Sequence, residues 1–261
     1  MSVNRLNKIS IIGTGNVATH LSRAFLDAGC EIKQVYGRDP ARARTLAQAL
    51  KAGAISSLED LDQESDVYFC CIADNALEEI LPQINIADKL IVHTSGSLAA
   101  DIFAEHFRNF GVFYPLQTFS SGREFNFNDI PICIEANDPG NEELLTFLAL
   151  RISSNIQLVD AKRRMLLHAA AVFACNFTNY MYSIAEDILT EHHLDPNLLK
   201  PLIRETASKV METLSHEVQT GPARRHDQLV IDNHIKLLDK YPEYQALYSE
   251  ITQQIMKKYK T

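Results

Sequence analysis

Residues 9–18 read ISIIGTGNVA. An apolar run rich in isoleucine ends at a glycine turn, and a helix-forming stretch follows. Gly13, Gly15 and Ala18 have the GxGxxA spacing of a dinucleotide-binding turn. Gly13 permits the tight exit from the strand. Gly15 lets a pyrophosphate approach the backbone, where any Cβ would collide with it, and Ala18 lets the helix pack close to the sheet. Asn16 and Val17 open that helix, whose unpaired N–H groups face the phosphates. Taken alone the triplet is a weak signal, because a glycine turn without a ligand has the same letters. Here a strand precedes it, a helix follows, and a second strand, EIKQVYG (31–37), comes at the expected distance.

Outward from this turn, short β-rich runs alternate with helical patterns up to about residue 160. The strands are KISIIG (8–13), EIKQVYG (31–37), DVYFCCIA (66–73), KLIVHTS (89–95), GVFYPL (111–116), IPICIE (130–135) and NIQLVD (155–160). Helices are predicted at 16–28, 40–52, 76–83, 98–108 and 141–150. Strands apolar on both faces and separated by helices indicate a parallel sheet covered on both sides. Beyond residue 160 the β-rich runs stop, and three to five helices are predicted. The expected fold is α/β: a Rossmann-type, doubly wound, mostly parallel sheet over 1–160, followed by an all-helical domain over 161–261.

The bulk properties agree with one large globular domain or two smaller ones. Its 261 residues are 46% hydrophobic, enough for a large core, and the formal net charge is -8. That balance argues against a nucleic-acid partner. No charged-then-apolar leader opens the sequence, and no apolar run approaches the roughly 18 residues of a membrane span. The five cysteines at 30, 70, 71, 133 and 175 lack CxxC spacing and sit among apolar neighbours. They read as reduced thiols, with neither a disulfide framework nor a metal site, and cytoplasmic localisation without a membrane partner is expected.

The end of the second strand chooses the nucleotide. NAD enzymes hold the adenosine ribose with an Asp or Glu there. This chain reads VYGRDPARARTLA, with Arg38 at that place and Arg42 and Arg44 behind it. A guanidinium fits a 2′-phosphate and has no acceptor for a ribose hydroxyl. NADP is therefore expected, and NAD is less favoured. Asp39 is the counter-signal: it either serves the ribose or caps the helix that starts at Pro40.

Ligands of such sheets lie beyond the carboxyl ends of the strands. Those ends are Ile72, Ala73 and Asp74, and the loop His93-Thr94-Ser95-Gly96-Ser97. Ile72, Ala73, Asp74 and Thr94 are expected to line the cofactor. Ser95 either faces the nicotinamide and substrate or satisfies local backbone, and Ser97 is read as a helix cap.

The helical domain is expected to complete the site. HAAAVFACNFTNY (168–180) is an apolar helix that nevertheless carries His168 and Asn176. With α-helical periodicity both fall on one stripe, about 12 Å apart at about 1.5 Å per residue. They can flank a small substrate, or they can be core residues tying helices together. TGPARRHD (220–227) offers Arg225 to clamp a substrate carboxylate and Asp227 to orient it. The other reading is a solvated turn in which Asp227 caps the next helix. KRR (162–164) opposes the helix dipole, so it either faces an anion or is solvated.

IIGTGNVA, HTSGS, YPLQTF, HAAAVFACNFTNY and TGPARRHD together make the chain resemble NADP-dependent oxidoreductases of the 6-phosphogluconate dehydrogenase, pyrroline-5-carboxylate reductase and ketopantoate reductase superfamily. More closely it resembles a bacterial family that joins a Rossmann-like domain to a C-terminal helical domain of unknown function. The resemblance to ketopantoate reductases sets His168 at their lysine position and Asn176 at their second asparagine, while Val172 replaces the first. Members of the bacterial family often read HPLQTF where this chain has Tyr114, and glycine where it has His226, so Tyr114 receives no role. The resemblance also implies a homodimer through the helical domain. The function expected is transfer of a hydride to a C=O or C=N of a small substrate, possibly a 2-keto acid. His168, Asn176 and Ser95 are read as catalytic, with Arg225 and Asp227 holding the substrate. The alternative is an NADP(H)-binding sensor without turnover.

Overall fold

The computed structural model describes residues 7–86 and 88–260. Eight strands form one sheet: β1 Lys8–Ile12, β2 Glu31–Tyr36, β3 Gly53–Ile55, β4 Val67–Cys70, β5 Leu90–His93, β6 Asn109–Pro115, β7 Ile132–Ala136 and β8 Ile156–Leu158. Their order is β3-β2-β1-β4-β5-β6-β7-β8. All pairs are parallel except β6 with β7. The first six strands have the doubly wound Rossmann order, with the chain reversing direction across the sheet between β1 and β4. The expected fold class holds, and the antiparallel β6–β7 pair adds a two-strand extension.

Alternation along each strand sends side chains to both faces. From β1, Ile9 and Ile11 join Leu21 and Phe25 of helix α1 (Asn16–Asp27), Phe69 of β4, and Leu145 and Leu148 of helix α4 (Pro139–Leu150). Ile12 faces the other way, toward Tyr68, Cys70, Ile91 and Phe103, and toward Leu77 of helix α3 (Asp74–Ile80). Helix α2 (Pro40–Leu50) buries Leu46, Ala47 and Leu50 against the first face. Cys30, Cys70, Cys71 and Cys133 are buried as free thiols and Cys175 is exposed.

Two expectations are corrected. The helix predicted at 98–108 is a short 3₁₀ turn, Ala100–Phe103. The loop from Thr94 to Ala99 consumes much of the crossover to β6, and what remains only seats Ala100 and Phe103 in the core. Strand β3, absent from the predicted strands, is too short to leave a periodic signal, and its Gly53 and Ala54 are small and exposed.

The chain divides into two compact units, the first ending at Asn176 and the second beginning at Phe177. Helix α5 (Ala161–Ala171) thus belongs with the sheet. Asp160 caps it by accepting from the Arg163 N–H at 2.8 Å. A π-helical turn, Val172–Phe177, follows. The second unit contains α6 (Thr178–Glu191), α7 (Lys200–Glu212), α8 (Gln228–Leu237) and α9 (Pro242–Lys258). Among the described residues no strand occurs there, and no helix is long and apolar enough to cross a membrane.

Candidate active site

The Gly13–Gly15 turn is built for close approach. Gly13 has φ of 126°, a region that disfavours any side chain, and its N–H donates to the Tyr36 carbonyl at 2.8 Å. A Cβ there would lie 2.2 Å from the Cys71 carbonyl oxygen. Gly15 differs: no protein atom lies within 4 Å of where its Cβ would stand. It is the N-cap of α1 and provides no side-chain cap, so the first N–H groups of that helix remain available to an anion.

These residues floor a cleft of about 810 Å³ at the carboxyl ends of the strands. Of the predicted cofactor ligands, Gly13, Gly15, Asn16, Val17, Arg38, Ile72, Ala73, Asp74 and Thr94 all line it. At one end stand Arg38 and Arg42, both exposed, and Arg42 donates to the Thr14 carbonyl at 3.1 Å. Asp39 lies beside them, but its Oδ1 accepts from the Ala41 and Arg42 N–H groups at 2.8 and 3.3 Å. It is the cap of α2, and Pro40 follows at the first helical position. A floor a Cβ would fill, an uncapped helix start and two guanidinium groups fit a phosphorylated dinucleotide.

The opposite wall comes from β5, β6 and α5. His93 is buried, its Nδ1 accepts from the Ser95 N–H at 3.2 Å, and its Nε2 donates to the Ala99 carbonyl at 3.3 Å. Burial pulls its pKa down to about 4, so the ring is neutral and pins the loop at both ends. The Ser95 hydroxyl braces the same loop. It donates to Asp74 Oδ2 at 2.9 Å and accepts from the Ser97 and Leu98 N–H groups at 3.0 and 3.1 Å. The capping expected of Ser97 is absent, since the Ala100–Phe103 turn starts at Ala99 without a side-chain cap, and Ser95 lines the cleft with its hydroxyl already engaged in the loop.

His168 lines this wall, half-buried, with its ring against Gly96. Tyr114 Oη lies 3.0 Å from His168 Nδ1, and the two rings meet edge to face with centroids 5.9 Å apart. One turn before His168, Arg164 is completely buried. It pairs with Glu135 of β7 and donates to the Leu98 carbonyl, so it clamps α5 to the sheet and to the end of the Ser95 loop. Of the KRR run, Arg164 therefore faces an anion, while Lys162 and Arg163 are exposed.

Other predicted residues lie elsewhere. Asn176 is exposed on the π-helical turn and does not line the cleft. The i→i+5 turn breaks the α-helical stripe that put it in line with His168. In the second unit, Arg225 is exposed on the turn before α8, and Asp227 caps that helix by accepting from the Val230 N–H at 3.4 Å. Residues of the cleft that sequence reasoning does not find are Tyr114 and the Pro115, Gln117 and Phe119 wall, together with Arg164 behind it. YPLQTF lies at the carboxyl end of β6, where ligands of such sheets gather, and that position is the available signal.

Comparison with known proteins agrees with this geometry. Residues 8–96 match the family model described as NADP oxidoreductase coenzyme F420-dependent, and residues 130–255 match a domain of unknown function, DUF2520. A comparison with curated sequences gave no match. Among solved structures, the chain is similar to a Thermotoga maritima protein at 25% identity and TM-score 0.80, covering 97% of this chain and 100% of that one. A 1-pyrroline-5-carboxylate reductase from Streptococcus pyogenes shares the fold at 14% identity and TM-score 0.64, covering 97% and 98%. A Bacteroides fragilis protein described as an NADP oxidoreductase is 39% identical, with TM-score 0.92 over 96% of this chain and 98% of that one. That match runs through both units, and the chain belongs to the NADP oxidoreductase family that the Bacteroides protein represents.

Proposed function

We propose that this chain is an NADPH-dependent reductase acting on the C=O or C=N of a small substrate, with His168 as the proton donor. The observation that carries the reading is that His168 lines the same cleft as Gly15 and Arg38, at its other wall. When bound, the nicotinamide supplies the hydride. Gly15 and the start of α1 receive the pyrophosphate, and Arg38 and Arg42 receive the 2′-phosphate. Thr94, Ile72, Ala73 and Asp74 wall the space between. The proton that completes the reduction comes from the imidazolium of His168, delivered to the oxygen or nitrogen that gains charge. Structural neighbours described as a pyrroline-5-carboxylate reductase and as imine reductases act on C=N groups, which makes imines a first class to test.

Ser95 orders the lip through Asp74, and its role toward substrate is positional. Asn176 as a catalytic residue and Arg225 and Asp227 as substrate-holding residues rest on the sequence pattern alone. The helical residues leave large apolar side chains exposed, among them Phe173 (70%), Met211 (85%), Leu229 (74%) and Leu237 (75%). Such surface supports a homodimer formed through them. The test is NADPH absorbance with a panel of cyclic imines and 2-keto acids. Decay with a panel member supports the reading, and tight NADPH binding without turnover of any member favours a sensing role.

A further inference from the structure

His168 has two nitrogens, and which one faces the reaction decides what the ring can do. Nδ1 is taken by Tyr114 Oη at 3.0 Å. Among the described residues, no hydrogen bond reaches Nε2. The ring cannot turn freely: a Cβ on Gly96 would stand 2.7 Å from its Cγ and Nδ1, so the loop backbone closes one side. The partner is equally fixed. Tyr114 is nine-tenths buried and packs with Ala100, Val112 and Cys133. Burial also pushes its pKa up to about 12, so it is a neutral phenol through the physiological range.

We infer that Tyr114 is a positioning residue that keeps Nδ1 of His168 engaged in both protonation states, so that Nε2 is always the nitrogen presented to the substrate. A hydroxyl can do this because it carries one donor and two acceptor lone pairs. In the resting neutral ring the phenol O–H donates to Nδ1 and the hydrogen sits on Nε2. With imidazolium it rotates about its Cζ–Oη bond and accepts from Nδ1–H. In the forward step the Nε2–H bond breaks and an O–H or N–H bond forms on the substrate. The imidazole left behind carries its remaining hydrogen on Nδ1, donated to the Tyr114 oxygen, and a solvent proton returns to Nε2. This rests on the assignment of His168 as proton donor. It goes further in naming the donor atom and the residue that selects it.

The test uses full-length protein labelled with ¹⁵N at histidine, with Tyr114→Phe and His168→Ala as variants. His168→Ala identifies the His168 signals. In the unaltered protein at a pH where the ring is neutral, the ¹⁵N shifts are expected to report hydrogen on Nε2 alone. In Tyr114→Phe they are expected to report a mixture of tautomers. NADPH affinity should stay within about twofold, and kcat should fall about tenfold, as loss of one hydrogen bond implies. A ring already protonated on Nδ1, or a Phe variant with unchanged tautomer and unchanged kcat, overturns the inference. If His168→Ala keeps full turnover while the tautomer still follows Tyr114, the proton-donor assignment fails and the pairing of the two rings stands.

Discussion

Gly96 and His168 are in contact so close that a methyl group cannot stand between them: a Cβ on Gly96 would lie 2.7 Å from the His168 ring and 2.9 Å from its Cβ. Gly96→Ala therefore pushes the imidazole off the cleft wall or moves α5. The expected result is a fall in kcat of about 100-fold, since a misplacement of about 1 Å costs that much. NADPH affinity should hardly change, because the glycine floor and the arginines lie at the other wall. Steady-state kinetics with fluorescence titration of NADPH separates the two effects. An alanine variant with normal kcat would mean that this contact is slack.

Arg164 is the clamp beneath the same ring. Removing it as Arg164→Met strands Glu135 and the Leu98 carbonyl. Breaking one side of a buried pair costs about 3–5 kcal/mol, and the lower end is expected because Glu135 retains 22% side-chain exposure. Urea denaturation of the single variant and of Arg164→Met with Glu135→Leu checks this. The double variant should recover most of the loss, and equal destabilisation of both would contradict it.

In the proposed reading, cofactor choice rests on Arg38 and Arg42, which line one end of the cleft. Arg38→Ala with Arg42→Ala removes the positive end of the cleft, whereas Asp39 is spent on the α2 cap. NADPH affinity should fall by about 100-fold or more, at about 1.5–3 kcal/mol per charged hydrogen bond, while NADH affinity changes little. Isothermal titration with both nucleotides measures the ratio. Parallel losses for the two would remove the 2′-phosphate from this end.

His93 gives the fold an acid-sensitive point. Burial lowers its pKa in the folded state to about 4, against an ordinary value of 6.5. Between those values the unfolded chain binds a proton that the folded chain does not. Stability is therefore full above about pH 6.5 and is lost as pH falls toward 4, by about 3 kcal/mol at most from this group. His93→Asn keeps an acceptor for the Ser95 N–H and does not titrate. Its stability should decline less than that of the unaltered protein between pH 7 and 4, and parallel declines would contradict this.

Much of this architecture can be read in the letters because it is governed by local rules. A glycine that must adopt positive φ, a strand before it and a helix after it locate the nucleotide floor, and Asp39-Pro40 declares the start of α2. The antiparallel direction of β7 is not legible, since a strand apolar on both faces reads the same whichever way it runs. Asn176 falls out of line because the stripe assumes about 3.6 residues per turn through a segment that makes a π turn. Tyr114 escapes notice because its partner lies 54 residues away, and Arg164 because its neighbours in KRR are solvated. Contacts set by tertiary approach leave no spacing in one sequence.

The most direct measurement is turnover and NADPH binding by His168→Ala, with a panel member the unaltered protein reduces. NADPH should bind with unchanged affinity while kcat falls between about 100-fold and 10,000-fold, the range for loss of a positioned general acid. Unchanged kcat would contradict the assignment of His168 as the group that gives up the proton.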